Sequence, residues 1–498
     1  DEDVSGLEEA TGLAVFRRAI FLFVIFLFPI LTSGLAFISK WFREKVWYNA
    51  ITQSVAMGGT AFIKWGQWSS TRPDMFPEAL CESLSVLHSH APTHTYGHTK
   101  KLVERAFDGR SIDEVFDWFS TKPLASGSIA QVHKAVLNGQ VVAVKVRHPD
   151  VKRRIFMDFQ IMAKLAALAD RTALKWLNLG ASMEQFSHTI GAQTRLDVEA
   201  RNLDRFNHNF RHWRLRGFTF PQVVHRVEDV LVETYEEGCL VTEFIAQHEP
   251  GGGDPKSSAG EEHKGAFARW LEWVFLHPRH QYDDIAPMDP RLAHFIVGMG
   301  EDMYLKMLLV DNLMHADLHP GNILIHVEDR SCRLVLVDAG MVAILRPEER
   351  TNYIGLLECL GAGDGVRAAD CLLQFGRDQT VSAEEKAAFV EDMRAFFGEH
   401  CRGYYTGVDV GQVLRGVLQC IRRHQVRVDV NYVTLITNLL CLDGLAKVSH
   451  IPLQYLFCNK TNRRVGKKRC SYMCEFRAPP LEALPFTRLH SQGIQSRK

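Results

Sequence analysis

The sequence HADLHPGN, from His315 to Asn322, contains side chains that could handle a phosphate group and a metal ion. Asp317 is followed by Asn322, and Asp338 opens an Asp-Ala-Gly triplet after a predicted strand hairpin. An acid beside an acceptor hydroxyl can take or orient its proton, while an asparagine and a second aspartate can hold Mg²⁺ against phosphates. This is the layout of a kinase catalytic loop followed by a metal-binding loop. The alternative, in which Asp317 caps a helix and Asn322 lies in a turn, accounts poorly for the full set.

A lysine within an apolar strand supplies a matching feature upstream. Lys145 ends the sequence VVAVK, and in a kinase such a lysine holds the α- and β-phosphates and pairs with a glutamate on a helix. Taken alone, Lys145 would be interpreted as an edge-strand lysine, but its place ahead of the two loops favours the functional role. The preceding segment LASGSI contains small residues that let the backbone approach phosphate, namely Ala125, Ser126, Gly127 and Ser128.

The elements that must position these residues are strands set among helices. Residues 129–136 and 141–146 have strand composition and flank Asn138-Gly139, a strong hairpin signal. Helix is predicted over 50–120 and 151–213, and again after a Gly/Pro/Ser-rich loop at 251–262 that we expect to be mobile. Further strands are predicted at 230–235, 323–327 and 334–337. The chain is therefore predicted to be an α+β protein.

Length and charge limit the classes of function. A chain of 498 residues suggests two lobes or two to three domains, and its 58 basic residues balance its 58 acidic ones. No nucleic-acid partner is therefore expected. The 11 cysteines show no regular spacing, which indicates reduced thiols. A zinc site at Cys458, Cys470 and Cys474 is the alternative, and the absence of a CxxC pair disfavours it.

The uncharged run from Ala19 to Ile38 has the length that a helix needs to cross a bilayer. Arg17 and Arg18 precede this run, and three more basic residues follow it. A buried core helix or a cleaved signal sequence is the alternative. Because the more basic side is the C-terminal one, the large domain is predicted to face the cytosol or the mitochondrial matrix. The chain begins at Asp1 rather than methionine, which indicates either a removed leader or a fragment.

Together, these motifs resemble the ABC1/UbiB group of AarF-domain-containing kinase-like proteins over roughly residues 50–450. The motifs that carry the resemblance are Lys64-Trp-Gly-Gln67, SGSIAQVH ending at His133, VAVK ending at Lys145, Glu199-Ala-Arg-Asn202, and HADLHPGN with Asp338. The resemblance implies a bilobal protein-kinase-like fold with a helical N-terminal extension and one N-terminal transmembrane helix.

The resemblance also implies a role for each matching residue. Lys145 would anchor ATP with Glu199 as its partner, Asp317 would be the catalytic acid or base, and Asn322 and Asp338 would bind Mg²⁺. The segment from Glu233 to Tyr235 would be the hinge that faces the adenine. Lys64 would lie on an extension folded over the active site, which disfavours protein substrates. A small-molecule kinase of the choline or aminoglycoside type remains an alternative, because it shares the logic of the catalytic loop.

The family connection further implies a place in the cell and partners. The expected place is the mitochondrial inner membrane, and the expected partners are membrane lipid or an isoprenoid or phenolic small molecule, together with proteins of coenzyme Q biosynthesis. The expected divisions are an N-terminal segment 1–18, a membrane helix 19–38, a helical extension 50–120, an N-lobe 121–235, a C-lobe 236–455 and a basic, disordered tail 456–498.

Three departures from the family pattern bear on function. His315-Ala-Asp replaces His-Arg-Asp, so a phosphorylated activation loop would find no arginine there. The family's alanine-rich triplet is Ser126-Gly-Ser128, and its Glu-x-Asp motif is Gln193-Thr-Arg195. These changes leave open a catalytically weak nucleotide switch that organises other proteins. The histidines at 88, 90, 94 and 98 are predicted to be surface residues rather than a metal site.

Overall fold

The computed structural model describes residues 12–88 apart from 71 and 74, then 93–171, 179–241, 244, 290–328, 331–376, 381–401 and 409–448. The loop predicted at 251–262, the tail predicted at 456–498 and the zinc alternative all lie outside these residues. The helices are α1 (Gly12–Leu31), α2 (Ser33–Ile38), α3 (Lys40–Phe42), α4 (Tyr48–Gly58), α5 (Thr60–Ser70), α6 (Glu78–Ser85), α7 (Tyr96–Ala106), α8 (Ile112–Val115), α9 (Val151–Ala169), α10 (Leu179–Gln193), α11 (Leu196–Asn209), α12 (Pro290–Lys306), α13 (Pro347–Ala362), α14 (Gly365–Leu373), α15 (Ala383–His400), α16 (Val410–Arg423) and α17 (Val430–Val448). The strands are β1 (Trp118–Phe119), β2 (Ala125–Ser126), β3 (Ala130–Leu137), β4 (Gln140–Arg147), β5 (Phe218–Thr219), β6 (Val223–Arg226), β7 (Val230–Thr234), β8 (Cys239–Leu240), β9 (Met314–His315), β10 (Ile323–Glu328), β11 (Ser331–Leu336) and β12 (Val342–Ala343).

The N-terminal lobe is built on an antiparallel sheet in the order β1-β3-β4-β7-β6, with β2 also paired to β3. The predicted hairpin between β3 and β4 is confirmed, because Asn138 and Gly139 have φ angles of 50° and 75° and so form its tight turn. On one face of the sheet, alternate valines of β4 and β7 pack against α7 and α8. Because side chains alternate along a strand, Lys145 and Glu233 project from the opposite face.

The C-terminal lobe is mainly helical, as predicted, and surrounds the sheet β5-β11-β10-β8. Its core includes the fully buried Tyr304 and Tyr353, whose hydroxyl oxygens lie 2.7 Å apart. The short strands β5, β6 and β8 were not predicted. Eight cysteines in the described part of the chain are thiols rather than disulfides, in agreement with the prediction of reduced cysteines.

One buried acid in the C-terminal lobe should make stability depend on pH. Glu301 is 2% exposed, and neither of its carboxyl oxygens has a hydrogen-bond partner among the described residues. Burial, with a smaller contribution from Asp302, raises the pKa of Glu301 from 4.5 to about 8. The unfolded chain therefore releases this proton first, and the free energy of unfolding decreases as the pH rises through this range.

We expect Glu301→Gln to raise the Tm at pH 8 by several degrees, since each unit of pKa shift corresponds to about 1.4 kcal/mol. The gain should shrink toward pH 5, because Glu301 is then protonated in the folded protein. Thermal unfolding at the two pH values measures both effects, with the exposed Glu391→Gln as the matched control. An equal Tm for the parent and Glu301→Gln at pH 8 would contradict the prediction.

A layer of helices formed by α1, α4, α5, α6, α9 and α10 has a core of its own. Within it, Gly66 of α5 permits close packing, because a Cβ atom there would lie 2.3 Å from Leu87 Cδ1 and 2.9 Å from Val55 Cγ1. Val55 is fully buried and β-branched, so it can move little. The glycine of the KWGQ motif therefore sets how closely α5 approaches its neighbours.

We expect Gly66→Ala to destabilise the fold by about 1–3 kcal/mol, the usual cost of overpacking a core. Gly97→Ala on α7 is the matched control, because a Cβ atom at Gly97 has no heavy atom within 4 Å. Chemical denaturation of the two variants compares them directly. If both alanine variants have the same denaturation midpoint as the parent, Gly66 is not needed for close packing of α5.

Candidate functional site

Lys145 of β4 lies at the centre of a buried cluster of charges between the two lobes. Its Nζ donates to Glu199 Oε1 at 2.6 Å and to the backbone oxygen of Val337 at 3.0 Å. Burial alone would lower the pKa of Lys145, but the carboxylates of Glu199, Glu233 and Asp338 raise it above its ordinary value. The lysine is therefore charged, and it joins the N-lobe sheet to α11 and to the segment that precedes Asp338.

Glu233 of β7 is a second carboxylate on the same lysine. Its Oε1 lies 3.2 Å from Lys145 Nζ, and the residue is 3% exposed. Burial raises the pKa of Glu233 to about 7, against the opposing effect of Lys145. The family resemblance implied only that Glu233 would lie in an adenine-facing hinge, whereas in the structure its side chain is also an ion-pair partner of Lys145.

Asp338 lies in a loop that α11 holds in place. Asp338 Oδ1 accepts a hydrogen bond from the backbone N–H of Gly340 at 2.8 Å, and Asn202 Nδ2 donates to the backbone oxygen of Ala339 at 2.9 Å. Burial would raise the pKa of Asp338, but the Lys145 ammonium and the Gly340 N–H hold it below its ordinary value. Because Glu199 and Asn202 lie on one helix, α11 positions both the lysine and the Asp338 loop.

The catalytic-loop segment is stabilised by its own polar groups. His315 Nδ1 accepts from the backbone N–H of Asp317, and its Nε2 contacts the backbone oxygen of Asp338. Asn322 Nδ2 donates to the backbone oxygen of Asp317 at 3.0 Å. This hydrogen bond uses the amide nitrogen of Asn322 and does not involve its amide oxygen. The loop therefore places Asp317, Asn322 and Asp338 in one neighbourhood.

His319 was not predicted as a site residue, although it lies within the HADLHPGN motif. Its Nε2 is 3.9 Å from Asp317 Oδ1. Burial lowers the pKa of His319, and Lys64 lowers it further while Asp317 opposes the change. A neutral imidazole is therefore expected beside Asp317 at neutral pH. The motif position alone could have indicated this residue.

The small-residue loop borders the cleft face of the N-lobe sheet. Ala125 is paired with Val132, and Val132 is paired with Lys145, so the three residues form one row across neighbouring strands. The Gly127 N–H donates to the backbone oxygen of Ala130, and His148 Nε2 lies 2.9 Å from the Gly127 oxygen. Ser128 follows in the bend that leads into β3. The loop is thus tied to β4 as well as to β3.

A group of histidines lies behind this loop. The Nδ1 atoms of His94 and His148 are 2.6 Å apart, and the rings of His94 and His98 have centroids 4.8 Å apart. Burial, followed by the charges of neighbouring histidines, lowers the pKa of His94 to about 4. The prediction that His94 is an ordinary surface residue holds only in part, because its side chain is half-buried and its ring packs against those of His98 and His148.

Tyr235 follows β7 at the edge of the cleft face. Its backbone N–H donates to the Val141 oxygen at 3.3 Å, and its ring lies 4.2 Å from Lys134 Nζ. Lys134 is paired with Ala143, so it belongs to the same face of the sheet as Lys145. Tyr235 therefore lies beside Lys134, on the face of the sheet that also presents Lys145.

Lys64 approaches the same cluster from α5. Its charge lowers the pKa of both Asp338 and His319, which places its ammonium within electrostatic reach of both loops. Gln67 Nε2 donates to the backbone oxygen of Leu87 at 3.0 Å, so this residue fixes α5 to the helical layer. Of the replaced Glu-x-Asp residues, Gln193 lies 3.9 Å from the Cβ position of Gly340, and its buried Oε1 accepts no hydrogen bond from the described residues.

The donors in the cleft suit a hard divalent cation that is also held by phosphates. Asp338 and Asn322 offer oxygen atoms, the ligand type that Mg²⁺ prefers. No cluster of three or more His, Cys, Asp or Glu side chains that could hold a metal occurs in the described part of the chain. Mg²⁺ typically needs only one or two carboxylates when substrate phosphates complete its coordination, so these residues fit Mg²⁺ with a nucleotide.

Comparison of the sequence with known protein families identifies one family model that matches most of the kinase-like region. The family model of the ABC1 atypical kinase-like domain matches residues 86–370, which is more than half of the chain. A probable serine/threonine-protein kinase of Dictyostelium discoideum, abkC, is 29% identical over 88% of this chain and 67% of its own length.

Two further relatives come from yeast and bacteria. A mitochondrial ABC1 family protein of Saccharomyces cerevisiae is 25% identical over 86% of this chain and 70% of its own length. The probable protein kinase UbiB of Marinobacter nauticus is 26% identical over 78% of this chain and 64% of its own length. About a third of each relative therefore has no counterpart in these alignments.

Proposed function

The chain belongs to the ABC1 atypical kinase-like family and has the protein-kinase-like fold predicted from its sequence, and we propose that it binds Mg²⁺–ATP and transfers or hydrolyses the γ-phosphate. The observation that carries the proposal is the convergence of Lys145, Glu199 and Asp338 on one buried site beside the Asp317 loop. A purely structural lysine would not need three carboxylates around it, because burial of so many charges is costly.

The proposal assigns a role in phosphate or metal binding, or in proton transfer, to each residue of the cluster. Lys145, oriented by Glu199, binds the α- and β-phosphates, and the small residues from Ala125 to Ser128 allow the backbone of the loop to approach them closely. Asp317 orients or accepts the proton of the attacking hydroxyl or water. Asn322 and Asp338 would hold Mg²⁺, which neutralises charge on the phosphate oxygens when it is bound.

The remaining cleft residues border the nucleotide or enclose it. Glu233 and Tyr235 lie at the end of β7, where the adenine of a bound nucleotide would be placed. Lys64 acts from α5 as a positive charge beside Asp338 and His319. The family resemblance implies that the extension containing α5 covers the side on which ordinary kinases receive a peptide, so a small or lipid-derived acceptor would fit this site better than a protein.

For the cellular role, we propose support of mitochondrial lipid or coenzyme Q metabolism at the inner membrane, with the kinase-like domain in the matrix. Partners would be a membrane lipid or an isoprenoid or phenolic molecule, together with proteins of coenzyme Q biosynthesis. The mitochondrial ABC1 relative in yeast, the resemblance to the ABC1/UbiB group and the apolar segment Gly12–Ile38 support this role.

The second candidate is a catalytically weak nucleotide switch that organises other proteins at that membrane. The Gln193 side chain favours it, because its Oε1 has no hydrogen-bond partner among the described residues and the family resemblance implies an acid rather than a neutral amide at this position. Such a protein would bind Mg²⁺–ATP but release phosphate only slowly.

Nucleotide turnover by the purified full chain separates the two candidates. Mg²⁺–ATP would be supplied with and without liposomes and a panel of phenols, and ADP, phosphate and phosphorylated acceptor would be measured. We expect ADP release that depends on Mg²⁺. Tight nucleotide binding without turnover under any of these conditions would favour the switch, and phosphate on a soluble alcohol alone would favour a small-molecule kinase.

A further inference from the structure

One face of the apolar N-terminal helix is docked along the helical layer. The shielded positions of α1 recur every three or four residues, the spacing of one helix face. They are Ala14, Val15, Arg18, Ala19, Leu22, Ile25, Phe26 and Pro29, and Leu27 is the one shielded residue of α1 outside this spacing. The sequence could not show this face, because nearly all of its residues are as apolar as those on the opposite side.

Polar contacts fix the docked face at three levels. Arg18 Nε and Nη2 donate to the two carboxylate oxygens of Asp158 in α9 at 2.7 and 2.9 Å, and Asp158 is 1% exposed. Ser54 Oγ donates to the backbone oxygen of Ile25 at 2.8 Å. Trp47 Nε1 donates to the backbone oxygen of Pro29 at 2.8 Å. Helix α1 therefore runs alongside α4 for most of its length, in the opposite direction.

A helix held in this way cannot also cross a bilayer. Crossing would carry α4 into the hydrocarbon together with its Asn49 and Gln53, and α9 with its run Lys152-Arg153-Arg154. Charged side chains at the centre of a bilayer cost at least about 2.5 kcal/mol each. The docked arrangement and a transmembrane arrangement are therefore mutually exclusive.

The outward face has the composition of a surface that meets lipid. Between residues 12 and 41, thirteen large apolar side chains are exposed, among them Phe23, Leu31 and Phe37 at 57%, 74% and 87%. A soluble surface rarely exposes a continuous apolar area of this extent. Arg17 and Lys40 are exposed near its two ends, where anionic headgroups would lie, and Trp41 is 69% exposed.

We propose that the outward face of α1 and α2 lies in the plane of a bilayer, within one leaflet, and holds the kinase-like domain on the membrane surface. This binding mode takes the place of the single membrane span predicted from composition. It rests on the membrane association proposed above and does not depend on phosphoryl transfer. The bilayer is favoured over a second copy of the chain because basic residues border the apolar face and complement anionic lipid.

The in-plane mode also places α5, the helix that contains Lys64, next to the membrane. The rings of Phe26 in α1 and Phe62 in α5 have centroids 5.7 Å apart, and Lys64 lies two residues beyond Phe62. Arg18 additionally contacts the backbone oxygen of Gly58, immediately before Gly59, whose φ of 85° turns the chain into α5. The helix that contains Lys64 thus lies directly behind the lipid-facing one.

Depth measurements on the full chain test the proposal. A fluorescent amino acid would replace Phe16, Phe23 or Ile30, three exposed positions that share one face of α1. The vesicles would be phosphatidylcholine with phosphatidylglycerol, brominated either near the headgroup or near the chain end. We expect all three probes to be quenched mainly by the shallow bromines, because in-plane helices lie about 5–10 Å into the headgroup boundary.

A spanning helix would place successive probes about 10 Å apart along the bilayer normal, given a rise of 1.5 Å per residue. Strong quenching of one probe by the deep bromines would therefore overturn the proposal. Absence of quenching at all three positions, with a dimer detected by light scattering, would overturn it in favour of a second copy. Neither readout involves nucleotide turnover, so failure here is distinct from failure of the proposed function.

A matched pair of variants tests the docking contact on vesicles. Arg18→Ala should lower the Tm of the vesicle-bound protein by several degrees, because Asp158 loses the partner that compensates its buried charge. Arg17→Ala, one residue away and exposed, removes only a screened surface charge near the headgroups and should lower the Tm much less. In a spanning helix both arginines would flank the bilayer in the same way, so equal effects of the two variants would contradict docking.

Discussion

Replacement of Asp338 by asparagine is expected to reduce nucleotide turnover about 100-fold or more. Asparagine keeps an oxygen that can accept from the Gly340 N–H, but it removes the negative charge. In the parent protein, Lys145 and that hydrogen bond keep the Asp338 carboxyl ionised by lowering its pKa. Preorganised charge at a phosphoryl-transfer site contributes several kcal/mol to transition-state stabilisation, so its loss should be large. Steady-state ADP release by the purified variant, at saturating Mg²⁺, measures the effect.

Asp370→Asn is the control, because Asp370 is an exposed aspartate on α14. Its turnover should equal that of the parent. If Asp338→Asn lacks turnover and also fails to rescue cells that lack the protein, the enzymatic proposal is supported. Rescue by the inactive variant would show instead that the switch function suffices.

Replacement of Lys145 by methionine is expected to affect both stability and turnover. Removing one partner of a buried ion pair typically costs about 3–5 kcal/mol, and here Glu199 and Glu233 would both lose their cation. Turnover should also decrease about 100-fold, because the phosphates lose their anchor. Denaturant unfolding and ADP release would be measured on the same preparations.

The double variant Lys145→Met/Glu199→Gln separates the two effects. It should recover part of the lost stability, because one buried charge is removed along with its partner. Its turnover should stay as low as that of Lys145→Met. Recovery of turnover together with stability would mean that Lys145 only supports the fold, and the proposed phosphate-binding role would then be wrong.

Much of the fold could be predicted from local patterns. The Asn138-Gly139 turn, with strand-forming residues on both sides of it, was enough to predict the hairpin of β3 and β4. The two-residue strands β5 and β8 could not be found in this way, because their pairing depends on β10 and β11, which lie about a hundred residues away in the chain. The docked face of α1 was hidden for a related reason, since only its contact with α4 and α9 distinguishes one apolar side from the other.

Site residues that belong to sequence motifs could be predicted. Contacts that depend on how the elements pack together could not. Lys145 and Glu199 could be paired through their motifs, although 54 positions separate them. The ion pair of Glu233 with Lys145 depends on the register between β4 and β7, which the sequence does not state.

The most direct test of the account is a structure of the protein with a non-hydrolysable ATP analogue and Mn²⁺ in place of Mg²⁺. We expect a metal ion about 2.1 Å from oxygens of both Asp338 and Asn322, with the triphosphate beside Lys145 and Asp317. A nucleotide bound elsewhere, or a metal that touches neither side chain, would contradict it.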